Sequence, residues 1–265
     1  MKNLTPVIFS MDKNLNIWHG DEPSWLKERL LLFSLTGSRA YGTNRPDSDY
    51  DYKGIAISPK EYYFGLKSFD SYHSSEGTDP NITIYDLKKF FNLALSANPS
   101  IIELLYMNPF HYAVLEPPAK LLVENRKLFL SKKCYKSFVG YANSQLHRIK
   151  TREGKPNHGK GDTKRLERIK RYGYETKNAL HLVRILKMGI EALETGSITV
   201  DRTGIDAKEL VEILYGKYKI DELIEYSEDL FERAEKALLK TSLPDSPDFK
   251  AVDLLLQAIT KACLE

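Results

Sequence analysis

The sequence contains little cysteine and no long apolar segment. Its 265 residues include two cysteines, Cys134 and Cys263, which lie far apart, so they form neither a disulfide framework nor a four-ligand zinc site. No apolar run approaches the roughly 18 to 20 residues that a membrane span needs. No apolar stretch typical of a secretory signal precedes Asp12. We therefore expect a globular, cytoplasmic protein with no membrane contact.

The net charge is also small, but the charges are distributed unevenly. The formal net charge is +3. Residues 132–187 hold 16 lysines and arginines against 4 aspartates and glutamates, whereas residues 188–265 hold 9 against 17. The basic segment 132–187 is open to two interpretations: the solvated faces of helices, or a surface that binds a polyanion such as RNA.

Hydrophobic patterning predicts a small mixed sheet with helices, followed by helices alone, which is an α+β fold. We place a first domain at 1–118 and a helical domain at 119–265. A loop is expected at 152–162, where three glycines and a proline occur without large apolar side chains. The predicted strands are 30–35, 49–57 and 81–85, and the predicted helices are 23–29, 86–97, 100–107, 135–149, 174–195 and 207–240.

One motif, a glycine-serine turn followed by two aspartates, has residue types suited to binding phosphate and metal. The apolar segment 30–35 ends at Gly37 and Ser38, where a tight turn with free N–H groups can hold a phosphate. Asp49 and Asp51 follow on the next predicted strand, and i and i+2 side chains project from the same face. Two adjacent carboxylates repel each other unless a cation lies between them, and their hard oxygens favour Mg²⁺ or Mn²⁺. The alternative is an acidic turn without metal.

In these residues the sequence resembles the DNA polymerase β nucleotidyltransferase superfamily, and within it the RNA-ligase-associated branch called RlaP. The resemblance implies a minimal nucleotidyltransferase fold that transfers a nucleoside monophosphate from an NTP with Mg²⁺ or Mn²⁺. Asp49 and Asp51 would then be the catalytic metal ligands, while Gly37 and Ser38 would hold the β- and γ-phosphates. The matching stretches are GSRAYG at 37–42, DSDYDYKG at 47–54, NP at 98–99 with ELL at 103–105, GYETKNALHLVR at 173–184 and SLPDSPD at 242–248.

One position departs from the superfamily pattern. The superfamily normally has a third carboxylate on the following strand, and the resemblance places it at Asn81. Side chains alternate between the two faces of a strand, so Ile82 and Ile84 are predicted to face the core and Asn81 to face the other way. Asp86 lies on the same side as the two isoleucines. Asn81 can offer a metal only its carbonyl oxygen, without charge. Weakened transferase activity is therefore one expectation.

Further candidate residues are basic or aromatic. Lys177, His181 and Arg184 occupy one helix face at i, i+4 and i+7, and the resemblance assigns them to the triphosphate. The alternative is a solvated helix face. Arg39 would assist the phosphate turn, and Tyr41 is a candidate for stacking on the base. A second basic face, with aromatic residues nearby, either suits an RNA backbone or is simply solvated; it comprises Lys164, Arg165, Arg168 and Arg171, with Tyr172 and Tyr174.

Two functions from different classes are therefore expected. The first is a metal-dependent nucleotidyltransferase acting on a hydroxyl of RNA, including tRNA, of a protein side chain or of a small molecule. The second is a catalytically weakened regulator that binds a nucleotide or RNA with the same fold. A toxin-like transferase that modifies a tRNA or a partner protein is a third reading. The sequence leaves the oligomeric state and the identity of the NTP open.

Overall fold

A computed structural model describes residues 17–75, 77–151 and 160–265. These residues form a five-stranded mixed sheet and a set of helices, which confirms the α+β class. The strands are β1 (Leu30–Thr36), β2 (Asp51–Ala56), β3 (Ser71–His73), β4 (Asn81–Asp86) and β5 (Tyr112–Leu115). The helices are α1 (Gly37–Tyr41), α2 (Lys60–Phe64), α3 (Leu87–Leu95), α4 (Pro99–Leu105), α5 (Pro117–Glu124), α6 (Lys133–Thr151), α7 (Lys160–Tyr172), α8 (Thr176–Thr195), α9 (Ala207–Leu214), α10 (Ile220–Lys240) and α11 (Phe249–Leu264).

The sheet topology brings three chain segments to one place. The strand order is β3-β4-β2-β1-β5, with β2 and β4 parallel and the other neighbours antiparallel. Thr36 at the end of β1 pairs with Asp51 at the start of β2, and Asp51 pairs with Asn81 at the start of β4. The turn after β1 therefore lies beside the first residues of both parallel strands.

The sheet has a hydrophobic core on each face. Successive residues of β1, Leu32 and Phe33, belong to different buried clusters, as alternation in a strand requires. In β4, Ile82 and Ile84 are fully buried while Asn81 is exposed, which confirms the predicted parity. Asp51 and Lys53 alternate with Tyr52 and share their face with Ile55, which belongs to the larger cluster with the helices.

Helix α8 lies at the centre of the helical part and packs against α6, α9 and α10. Most of its residues are buried, including Leu182, Val183 and Leu186. Gly189 allows a close approach to α6, since a Cβ there would lie 2.9 Å from the Cβ of Phe138. This helix is therefore not a surface helix with one wet face, and the positions of its polar residues depend on their partners.

Several predicted boundaries are wrong in detail. The helix predicted over 23–29 is a run of turns at 24–29, and the helix predicted over 207–240 is two helices with a break at Gly216 (φ 79°). The strand predicted from residue 49 begins at Asp51. Of the predicted loop at 152–162, residues 152–159 lie outside the described residues and α7 already begins at Lys160. Strands β3 and β5 carry too few residues for their alternation to be recognised.

The predicted domain boundary between residues 118 and 119 falls within α5, and the division into two domains stays a prediction. The larger hydrophobic cluster contains residues from both sides of it, such as Leu104 and Leu182. In the part of the chain that the structure describes, no helix combines the length and the apolar character needed to cross a membrane.

Candidate functional site

The turn between β1 and α1 is built on Gly37. Its φ is +68°, and a Cβ at this position would collide with Oδ2 of Asp51. The hydroxyl of Thr36 donates to the carbonyl oxygen of Asp51 at 3.1 Å, which fixes the end of β1 against the start of β2. Glycine is therefore required for two reasons: the left-handed backbone, and the close approach of the Asp51 carboxylate to the turn.

Replacing Gly37 by alanine is expected to harm the site more than the fold. Left-handed backbone strain in an alanine costs about 1–2 kcal/mol, and the collision would in addition displace the Asp51 carboxylate. Gly204→Ala is the matched control, because Gly204 also has a positive φ (+76°) but nothing within 4 Å of a Cβ. Urea unfolding should show a comparable loss of stability in both variants. If the turn holds phosphate, as the sequence predicts, only Gly37→Ala should lose nucleotide binding in a titration. Equal nucleotide binding by the two variants would contradict the role given to Gly37.

Asp49 and Asp51 line the same pocket, a cavity of about 300 Å³ that Gly37 and Ser38 also line. Asp51 opens β2 and is half-buried, whereas Asp49 precedes the strand and is exposed. The prediction that both lie on one strand is therefore wrong, although both reach one cavity. Burial raises the pKa of the Asp51 carboxyl and Asp49 adds to this, outweighing the Asn81 amide and the Lys177 ammonium, which act in the opposite direction.

Asn81 lies directly beside Asp51, in the strand position where the resemblance expects a third carboxylate. Its Nδ2 donates to Oδ1 of Asp51 at 3.2 Å. The other nearby acidic residues have different partners: Asp79 accepts from the backbone N–H of Tyr50 at 3.0 Å, and Asp86 is buried at the N-terminus of α3, where it accepts from the hydroxyl of Ser58 at 2.7 Å. The amide thus neighbours the site without supplying negative charge.

The residues present fit a magnesium or manganese ion that would take two ligands from carboxylates and the others from phosphate oxygens and water. Among the residues that the structure describes, no group of three or more histidines, cysteines or acidic residues is arranged to hold a metal. Mg²⁺ is commonly bound through one or two carboxylates together with substrate phosphates and water. Asp49 and Asp51 provide two carboxylates beside a turn suited to phosphate. Burial disfavours the charged form of Asp51, so a cation bound there would stabilise its carboxylate.

Four cationic side chains line the pocket: Arg45, Lys164, Arg168 and Lys177. Within the described ranges, no carboxylate lies at ion-pair distance from Lys177, which is exposed at the start of α8. The sequence analysis missed Arg45, although it lies in the loop between the glycine turn and the paired aspartates. It placed Lys164 and Arg168 on a face that either binds RNA or is solvated, whereas both line the pocket.

His181 lines the pocket but carries no charge. Burial, together with the neighbouring charges of Arg184 and Lys177, lowers the pKa of its imidazole to about 3. Its Nδ1 is buried without a hydrogen-bond partner. The prediction of a basic triad is therefore corrected here: burial favours the neutral imidazole of His181, which lines the pocket as a hydrogen-bonding group and not as a third cation.

Arg184 does not line the pocket, contrary to its predicted role, because it is 4% exposed and has partners in the core. Its Nη1 donates to Oε1 of Glu103 at 2.6 Å, and its guanidinium lies 3.7 Å from the ring centre of Tyr41. The Tyr41 hydroxyl donates to Oε2 of the same Glu103 at 2.7 Å. Tyr41 does line the pocket, but Arg184 covers one face of its ring, which restricts the predicted stacking on a base.

Arg39 supports the acidic loop and is not part of the pocket lining. Its Nη2 donates to the carbonyl oxygen of Ser48 at 2.7 Å, and its guanidinium lies 3.8 Å from the ring centre of Tyr50. Its predicted contact with phosphate is thus replaced by contacts that position residues 48–50. Lys53 was not singled out from the sequence; burial lowers its pKa, and its ammonium contacts the hydroxyl of Ser100.

Several side chains of the predicted RNA face on α7 have partners within the protein. Arg165 and Arg168 turn toward Glu175, at 3.9 and 2.6 Å, and Tyr174 is 1% exposed and donates to the backbone of Tyr218. Arg171 stays exposed on the outer side of the helix. Clusters of basic and aromatic residues in sequence do not show which members find partners within the fold.

The glycine-serine turn after β1 and the two aspartates, Asp49 just before β2 and Asp51 at its start, are the residues on which the sequence resemblance rests. The model of one family, described as RlaP, the RNA repair pathway DNA polymerase beta family, matches residues 13–255. The chain belongs to this family, and its class is therefore that of nucleotidyltransferases of the polymerase β type.

Two further comparisons concern individual proteins. Over 127 residues the chain is 32% identical to a protein of Enterobacteria phage T4, "Uncharacterized 38.9 kDa protein in nrdC-mobD intergenic region"; the match covers 44% of this chain and 38% of the phage protein. The crystal structure of a nucleotidyltransferase-like protein from Exiguobacterium sibiricum 255-15 matches 89% of this chain and 72% of that one, at 12% identity and a TM-score of 0.28. At that TM-score the likeness supports no conclusion about the site.

Proposed function

We propose that the protein is a metal-dependent nucleotidyltransferase that moves a nucleoside monophosphate from an NTP to a hydroxyl acceptor. The observation that carries the proposal is that Asp49, Asp51, Gly37 and Ser38 line one pocket together with four cationic side chains. Paired carboxylates, a phosphate-binding turn and positive charge are the parts that phosphoryl-group transfer requires.

Each side chain has a role within this reaction. Asp49 and Asp51 would hold Mg²⁺ or Mn²⁺, the turn at Gly37 and Ser38 would bind phosphate oxygens, and Lys177 would neutralise triphosphate charge. When bound, the ion supplies neutralisation of phosphate charge and activation of the acceptor hydroxyl. The acceptor hydroxyl loses its proton to water, its oxygen forms a bond to the α-phosphorus, and the bond to the pyrophosphate leaving group breaks.

RNA, including tRNA, is the acceptor that we favour. The family description refers to RNA repair, and residues 132–187 carry a balance of +12. A protein side chain and a small molecule remain as acceptors for the same chemistry, and so they belong in the test.

The test is label transfer from α-³²P-labelled NTPs. Each of the four NTPs is incubated with the protein in Mg²⁺ or Mn²⁺ together with bulk RNA, tRNA or a protein mixture, and the label is followed on gels. Transfer accompanied by stoichiometric pyrophosphate supports the proposal. Binding of NTPs without transfer to any acceptor in either metal would contradict it.

The second candidate is a nucleotide- or RNA-binding regulator with weakened catalysis, which the neutral Asn81 beside Asp51 favours. Under the enzyme proposal, Asn81→Asp is expected to raise turnover by about tenfold or more, because a general base commonly contributes that much. Steady-state label transfer measures it. Asn81→Ala is the control and should give no gain; an Asn81→Asp variant no faster than the parent would show that this position does not limit the reaction.

A further inference from the structure

Helix α7 is a polar helix that is joined to the rest of the protein by ion pairs and by the Tyr172 ring, which packs against Gly216. None of its residues from 163 to 172 is fully buried, and Leu166 is 64% exposed. Two of its cations nevertheless reach the pocket, Lys164 and Arg168. These two side chains place positive charge at the cavity, which favours the binding of an anion there.

Both cations are paired with carboxylates, but the two pairs differ in character. Arg168 binds Glu175 through two hydrogen bonds, at 2.6 and 3.2 Å, and the two side chains are only 16% and 5% exposed. Lys164 lies 3.3 Å from Oδ2 of Asp47, and these side chains are 52% and 60% exposed. The first pair is a fixed structural contact, whereas the second is open to solvent and easily exchanged.

Asp47 has a second cation beside it. The guanidinium of Arg45 lies 3.3 Å from its Oδ1, so Asp47 does not depend on Lys164 for a partner. Asp47 also lines the pocket, next to Ser48 and Asp49. A polyphosphate entering the cavity could therefore take Lys164 from Asp47 without leaving the aspartate unpaired.

A polyphosphate is the ligand class that suits this exchange. It offers several charged oxygen acceptors, and hydrogen bonds between an ammonium and a phosphate are stronger than those between neutral groups. An exposed ion pair such as Lys164–Asp47 is worth only about 0–1 kcal/mol, so its replacement costs little. Arg184 is paired with Glu103 outside the pocket lining, and burial favours the neutral form of His181, so the cations that can contact an anion in the pocket are Lys164 and the other cationic residues of its lining.

We propose that Lys164 of α7 binds the phosphates of the nucleotide and that Asp47 competes with those phosphates for it. The nucleotide identity rests on the proposed function, but the binding of a polyphosphate does not. Asp47, although it belongs to the acidic motif, is thus a competitor of the substrate and not a metal ligand.

The test is isothermal titration with inorganic tripolyphosphate, with and without Mg²⁺, at about 0.15 M salt, where charges beyond about 8 Å are screened. Lys164→Gln is expected to bind about fivefold to tenfold more weakly. Lys170→Gln is the matched control, because Lys170 is exposed on the same helix but does not line the pocket; it should stay within about twofold. Asp47→Asn should bind about twofold to fivefold more tightly.

The double variant Lys164→Gln/Asp47→Asn tests the competition itself. If Asp47 acts by holding Lys164, the gain from Asp47→Asn disappears once Lys164 is replaced. If the gain persists, Asp47 acts on the anion directly or through Arg45, and the exchange at Lys164 is overturned. If Asp47→Asn binds tripolyphosphate more weakly only when Mg²⁺ is present, Asp47 is a metal ligand instead. Equal losses of affinity in Lys164→Gln and Lys170→Gln would show that α7 is not part of the binding site.

These outcomes are separable from a failure of the proposed function. A protein that transfers no label but still binds tripolyphosphate through Lys164 retains the inference and loses the enzyme. A protein that transfers label with Lys164→Gln as fast as the parent, and binds tripolyphosphate equally, loses the inference and retains the enzyme. Absence of tripolyphosphate binding by the parent overturns the inference.

Discussion

Asp51→Asn is expected to reduce label transfer by about a thousandfold, equivalent to about 4 kcal/mol of activation free energy. The substitution keeps the shape of the side chain and removes the negative charge on which a bound divalent ion would depend. Asp49→Asn should have a comparable effect. Steady-state transfer of α-labelled NTP to the preferred acceptor measures both.

The same variant should not lose stability, and this distinguishes a functional role from a structural one. Burial raises the pKa of Asp51 in the folded state, so its charged form is disfavoured by folding and stability falls as the pH rises through the shifted pKa. At neutral pH the asparagine variant should therefore be at least as stable as the parent in urea unfolding.

Asp79→Asn provides the control for Asp51→Asn. Asp79 is exposed, close to Tyr50, and does not line the pocket. An asparagine there can still accept the hydrogen bond from Tyr50, so transfer should stay within about threefold of the parent, which is less than 1 kcal/mol. Activity retained in Asp51→Asn, or lost equally in Asp79→Asn, would contradict the assignment of the paired aspartates.

Arg184→Met carries the largest expected effect on stability. The substitution removes the ion-pair partner of Glu103, which is 2% exposed and keeps its hydrogen bond from Tyr41, and it removes the cation that covers the Tyr41 ring. Loss of one partner from a buried ion pair typically costs about 3–5 kcal/mol. Urea unfolding followed by circular dichroism should show a loss of this size.

Two further variants separate the charge effect from simple loss of packing. Adding Glu103→Gln to Arg184→Met removes the stranded charge and should recover at least about 1 kcal/mol. Lys236→Met breaks the exposed pair with Glu232, where both side chains are 61% exposed, and should change stability by less than about 0.5 kcal/mol. A loss of that small size for Arg184→Met would show that its ion pair is not structural.

The Tyr41–Glu103–Arg184 cluster connects elements that are distant in the chain. It ties α1, which begins at Gly37, to α4 and to α8, on which Lys177 and His181 lie. We therefore expect that the cluster fixes the glycine turn relative to the helix that contributes the pocket cations. The resemblance assigned Arg184 to the triphosphate, whereas the structure gives it partners in the core.

Much of the candidate site could be predicted from the sequence because its signals are local. The strand ending at Gly37 and the two aspartates follow from apolar runs, a turn residue and a spacing of two. The alternation over residues 81–86 predicts which side chains are buried, and the structure confirms it for Ile82, Ile84 and Asp86. The start of β2 was less accurate, since nothing local indicates that the strand begins at Asp51 and not at Asp49.

The sequence alone determined the chemistry available to this protein: paired carboxylates next to a glycine-serine turn, and an amide where a third carboxylate is expected. Only the tertiary structure decided which cationic side chains line the pocket. Glu103 reaches Arg184 across 81 residues of sequence, Glu175 holds Arg168, and Lys164 turns to Asp47. A buried charge requires a partner, and that partner can come from any segment that folding brings near, so helical periodicity cannot show whether a basic side chain meets substrate, solvent or the core.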